Sequence, residues 1–210
     1  MTGDSRFHAI LGAGPSYIVH PSDTAPALVA LGAQIKIAGP AGEKTIPLEK
    51  FFVLPSVDYK RENILTPGEI VTEIIVPPPK AGSKGCYHKV RERLAWDHAI
   101  VAVATVVEKQ RRCRNARVVM GGVAPIPWRA AKAEDFLRGK KLDEGTARQA
   151  RGDSSRGRET TQRQRLQGED CPRFDPTRFI GIGVNSRTVL LPHGQELLDC
   201  DLTRLSPKLL

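Results

Sequence analysis

Along the first part of the chain the apolar positions switch between helical and strand spacing. "PSDTAPALVALGA", residues 21–33, opens on Pro-Ser-Asp and runs apolar into Gly32. Ser22 or Asp23 can accept a hydrogen bond from first-turn amides, so either suits an N-cap. Pro26 is tolerated in that turn because its missing N–H would have had no helical partner, and Gly32 suits a left-handed stop. The pattern predicts a short helix. "AQIKIAG" then alternates, with Ile35 and Ile37 on one face, before a turn at "PAGE". "KTIPLEKFF" predicts a second strand running into a buried Phe51–Phe52 pair. After a turn at "TPGE", "IVTEIIVP" predicts a third strand, closed by Pro77-Pro78-Pro79.

The triple proline cannot donate to a β-ladder and marks a linker. Beyond it, "GCYHKVRER" predicts a strand and "DHAIVAVATVVEKQ" a β-branched central strand. "NARVVMGGVAP" reads as the antiparallel neighbour, with Gly121-Gly122 marking a bulge or a close backbone approach. "PWRAAKAEDFLRGKKL" predicts an amphipathic helix with Ala130, Ala133, Phe136 and Leu137 on one side, stopped by Gly139. From about Gln149 the periodicity gives way to Arg, Ser, Gln and Gly, although "TRFIGIGVNSRTVLLP" has room for a strand or two. Three segments result: 1–79, 80–148 and an Arg-rich tail, 149–210. The tail breaks the local consistency of what precedes it, so it is expected to be poorly ordered or to reflect a shifted reading frame.

The 210 residues (23.0 kDa, 40% hydrophobic) suffice for one large or two small domains. A net charge of +9 raises nucleic-acid binding. Much of the Arg, however, lies between Arg148 and Arg178, where Phe174 is the only ring available for base stacking, so that class is set aside. No apolar run reaches the roughly 20 residues of a membrane helix. The N-terminus lacks the order of a signal peptide, and the protein is expected in the cytoplasm. Cys86, Cys113, Cys171 and Cys200 form no CxxC pair and are expected to be ordinary thiols. His20 and His88 show no metal-ligand spacing. Asp97 and His98, if adjacent on a strand, would point to opposite faces and could not act as a base and its orienter.

Five blocks, in order and spacing, carry a resemblance: "FHAILGAGPSYIVHPSDTAPALVALGA", "GEKTIPLEKFFVLP", "PGEIVTEIIVP", "KVRERLAWDHAIVAVA" and "ARVVMGGVAPIPWRAAKAEDFLRGKKL". Together they resemble the flavoprotein subunit of the molybdenum hydroxylases, the group of xanthine dehydrogenase, aldehyde oxidoreductase and the carbon monoxide dehydrogenase medium subunit. The resemblance implies an α+β fold. The later part of an FAD-binding domain (1–79) would precede a small α+β domain (80–148) with a three-stranded antiparallel sheet and helices. It also implies FAD, receiving electrons from iron–sulfur centres after a molybdenum cofactor has hydroxylated the substrate. The partners would be a molybdenum-cofactor-binding large subunit and an iron–sulfur small subunit, with no nucleophile or general base on this chain.

In that family a lobe with a glycine-rich pyrophosphate loop precedes the helix. Gly12-Ala13-Gly14 is too short to replace it, and Ser16 stands where some relatives carry a cysteine of an iron–sulfur insertion. The chain is therefore expected to lack that lobe and to bind FAD weakly or not at all alone; the alternative is a remnant that binds none. By the same resemblance Asp23, Val71 and Lys89 fall on flavin contacts. The bland readings are an N-cap for Asp23, a core strand residue for Val71 and a solvated charge for Lys89.

Overall fold

Ser22 Oγ accepts from the Ala25 amide at 3.1 Å and opens helix α1 (Thr24–Leu31). The side chain of Asp23, the residue flanking the helix, makes no capping bond. Gly32, at φ 76°, closes the helix, its N–H and that of Ala33 returning to Val29 O and Leu28 O at 3.0 and 2.9 Å. The computed structural model describes residues 7–150 apart from 92, 94, 95, 144, 147 and 148.

Strands β1 (Gln34–Gly39) and β2 (Gly42–Pro47) form an antiparallel hairpin. The second strand ends sooner than its sequence predicts. The Leu48 amide donates to Ala33 O at 2.9 Å, and residues Leu48–Lys50 turn as a 3-10 helix against the end of α1. Phe51 and Phe52 then meet edge to face at 5.4 Å, half-buried rather than buried. Strand β3 (Ile70–Ile75) pairs antiparallel with β1, giving the order β2-β1-β3. Residues 76–80 carry no regular structure.

The second sheet runs β4 (Ser83–Val90), β5 (Val101–Lys109), β6 (Cys113–Gly121) and β7 (Trp128–Arg129) in that order, all antiparallel. The expected three strands gain a two-residue fourth, and α2 (Ala131–Leu137) starts after it instead of at Pro127. β5 is central but begins at Val101, so Asp97 and His98 lie on a loop and the opposite-face argument does not apply to them. The α+β class holds.

Period-2 alternation gives the central sheet two apolar faces. Val101 and Val103 of β5 and Val118 of β6 pack with Ala133 and Leu137 of α2 and with Ala150. Ala104 and Val119, on the opposite face, join Val29 and Ala30 of α1 and Ile35 and Ile37 of β1. This second cluster draws on both sides of the proline linker. Of the segment from Gln149 onward only 149 and 150 are described, so expectations for the tail lie outside the described residues.

Gly121 and Gly122 mark close approach, not a bulge. A Cβ on Gly121 would sit 2.8 Å from Pro26 Cγ, and one on Gly122 (φ 74°) 2.6 Å from Ala99 O. The irregularity in the β5–β6 ladder falls at Glu108/Lys109 instead.

Candidate functional site

Because Ser22 supplies the cap, the Asp23 carboxylate is free to turn toward β4. Tyr87 Oη donates to Asp23 Oδ1 at 3.0 Å, and Lys89 Nζ donates to Oδ2 at 2.6 Å. Tyr87 and Lys89, two residues apart on one strand, share the face that carries the α1 cluster. Lys89 Nζ also donates to the Asp97 carbonyl at 2.7 Å. Asp97 is in turn held by its own loop, the Arg93 amide donating to Asp97 Oδ2 at 2.8 Å. The lysine is thus pinned between a helix entrance and a loop.

The Lys89 side chain is 18% exposed and that of Asp23 46%. Burial first, then the negative charge and hydrogen bond of Asp23, push Tyr87 well above the ordinary phenol range, so it stays a donor. The result is a carboxylate, an ammonium and a phenol hydroxyl at the mouth of a helix. Val71 lies elsewhere. It pairs with Ile37 beside a register shift in the β1–β3 ladder and is 38% exposed, not a core residue. Among the described residues no hydrogen bond or ion pair links it to the Asp23–Lys89 pair.

Sequence reasoning missed Tyr87, although its spacing from Lys89 is the signal that finds it. On the opposite face of β4, Cys86 Sγ lies 2.8 Å from His88 Nε2, and burial pushes the His88 imidazole down. His20 packs edge to face on Phe52 at 4.9 Å and is likewise pushed down by burial, against the pull of Glu62. Among the described residues no group of three or more His, Cys, Asp or Glu is placed to hold a metal ion. Cys113 is a buried thiol. No helix among the described residues is long and apolar enough to cross a membrane.

Residues 16–79, which include Asp23 and Val71, match the family model of the FAD binding domain in molybdopterin dehydrogenase. Residues 86–157, which include Lys89, match that of the CO dehydrogenase flavoprotein C-terminal domain. The chain belongs to the FAD-binding subunit family of the molybdenum hydroxylases. The aldehyde oxidoreductase FAD-binding subunit PaoB of Escherichia coli (strain K12) is 37% identical over 139 residues, covering 65% of this chain and 42% of that protein. Carbon monoxide dehydrogenase from Hydrogenophaga pseudoflava shares the fold with a TM-score of 0.57 at 28% identity, over 65% of this chain and 46% of that one. Quinoline 2-oxidoreductase from Pseudomonas putida 86 gives 0.53 at 30% identity, over 74% and 49%. The chain thus spans less than half the length of these family members. The Asp23–Lys89 ion pair joins a residue of one family segment to a residue of the other.

Proposed function

We propose that this chain contributes a flavin-holding wall to the electron-transfer subunit of a molybdenum-dependent hydroxylase, with Asp23 and Lys89 facing FAD. The observation that carries the reading is the carboxylate released from capping by Ser22 and held beside a lysine whose ammonium donates both to it and to the Asp97 carbonyl.

The donor set fits part of the cofactor. A carboxylate offers about four lone-pair directions and an ammonium three N–H groups. Tyr87 and Lys89 occupy one direction on each Asp23 oxygen, and Asp23 and Asp97 take two of the Lys89 donors. An acceptor beside a donor remains, which suits an imide edge or a chain of hydroxyls, both of which a flavin carries. The pair does not suit the two phosphates. Asp23 adds negative charge, and one ammonium does not replace a cradle of oriented amides.

When bound, FAD supplies the acceptance and onward donation of electrons. Asp23 orients the ligand by accepting from it. Lys89 holds a positive charge beside a ring that gains electrons, worth about 1 kcal/mol or more at an effective dielectric near 20. Helix α1 and strand β4 keep the two at a fixed separation. Val71 is assigned a backbone contact on the same ligand, from the exposed strand β3.

Substrate chemistry belongs in this reading to partners: a molybdenum-cofactor-binding large subunit and an iron–sulfur small subunit whose centres deliver electrons. The name of the E. coli relative, an FAD-binding subunit of an aldehyde oxidoreductase, supports it. A domain boundary after residue 79 is part of the same proposal, supported by the two matched segments, 16–79 and 86–157.

Titration of the chain with riboflavin and with FAD at one ionic strength tests the reading. Weak binding of both with similar affinity is expected, lowered by Asp23→Asn and by Lys89→Ala. FAD binding much tighter than riboflavin would reveal a phosphate site on this chain. Equal affinities in wild type and both variants would refute the assignment of the pair.

A further inference from the structure

Asp23 receives two donors of unequal rigidity. Lys89 reaches it along a flexible four-carbon stem and also depends on the Asp97 loop. Tyr87 reaches it on a ring with two rotatable bonds, packed against the cluster that holds Ala104, Val119 and Val29. Its strand position opposite Ala104 fixes that ring from the backbone side as well. With Lys89 alone, the half-exposed carboxylate could swing about its Cβ–Cγ bond while keeping the ion pair. A second donor on the other oxygen removes that freedom.

We propose that Tyr87 is a positioning residue for the flavin site: its hydroxyl, by holding Asp23 Oδ1, fixes which lone pairs of the carboxylate meet the N–H or O–H groups of the ligand. The proposal rests on the flavin reading above. A purely structural strap between β4 and α1 would use the same bond, so the test separates ligand binding from folding.

The full chain is titrated with riboflavin, followed by quenching of its fluorescence, for wild type, Tyr87→Phe, Asp23→Asn and the double variant; thermal midpoints are measured in parallel. Tyr87→Phe keeps the ring and loses only the hydroxyl. The expected result is about a tenfold loss of riboflavin affinity, typical of one hydrogen bond to a charged group, with little change in midpoint. The double variant should bind no more weakly than Asp23→Asn alone, because the hydroxyl acts only through that carboxylate. If Asp23→Asn weakens binding while Tyr87→Phe matches wild type, the positioning role is overturned and the flavin reading stands. If Tyr87→Phe weakens binding equally with and without Asp23→Asn, the hydroxyl acts independently of Asp23 and the proposal fails. If wild type leaves riboflavin fluorescence unchanged, or Asp23→Asn binds as wild type does, the flavin reading itself fails.

Discussion

Asp23 and Lys89 stand 66 residues apart in sequence and 2.6 Å apart in the fold. The contact depends on a division of labour between neighbours, in which Ser22 caps α1 and Asp23 turns away from it. Removing the two side chains should therefore have different consequences. Ser22→Ala should cost about 1 kcal/mol of stability, the usual loss for an N-cap. Asp23→Asn should cost less, since an ion pair this exposed contributes under about 1 kcal/mol. Urea unfolding of both variants checks this, and a larger loss for Asp23→Asn would contradict the assignment of the cap to Ser22.

Glu134 is the buried anchor of the second sheet. It is 2% exposed, accepts from the Val118 amide at 2.9 Å and pairs with Arg129, whose guanidinium also reaches Glu49 at 2.9 Å. The hydrogen bond from Arg129 to Glu134 heads the causes that hold the guanidinium pKa above its usual value. Glu134→Ala should lower stability by about 3 kcal/mol, because it orphans a buried amide and half of an ion pair. The figure sits at the low end for such pairs because Arg129 retains Glu49. A loss under about 1 kcal/mol in chemical denaturation would contradict this.

Gly122→Ala should destabilise by about 1–3 kcal/mol, since it places a side chain at positive φ and its Cβ against a backbone carbonyl. Gly42 is the control, with positive φ and no atom within 4 Å of where an added methyl would sit. Thermal midpoints should fall further for Gly122→Ala than for Gly42→Ala; equal shifts would show that backbone strain alone decides.

Acid sensitivity has a nameable source in Glu69. Its carboxylate accepts from Lys44 Nζ at 2.5 Å and from the Thr66 amide at 2.8 Å, and Lys44 foremost holds its pKa at about 2 instead of 4.5. A depressed carboxylate contributes stability that is fully present above the unfolded value and is lost as pH falls through the folded one. Wild type should therefore lead Glu69→Gln at neutral pH, and the gap should close between pH 4.5 and about 2. A gap constant across that window would contradict the assignment.

The sequence announces these elements unevenly, for physical reasons. The helix over Thr24–Leu31 and the alternation at Ile35 and Ile37 are legible because burial enforces both periods. The strand at Trp128–Arg129 is not, since two residues carry no period and the helical pattern overruns them. Val71 reads as core because β3 is apolar at alternate positions on both sides. The strand lies at a sheet edge with every residue exposed, and edge position leaves no mark in a single strand's pattern. Asp23 and Lys89 are reached through resemblance alone. Tyr87 is within reach of strand periodicity once Lys89 is chosen, whereas the Asp97 carbonyl is not, because backbone acceptors have no sequence signature.

The central claim is that flavin meets this chain at the Asp23–Lys89 pair, and amide chemical-shift mapping tests it most directly. Riboflavin added to isotope-labelled chain should shift the amides of residues 22–24 and 87–89 first and most. The same titration of Asp23→Asn should leave those amides nearly still. Shifts centred elsewhere, or an unchanged pattern in Asp23→Asn, would contradict the account.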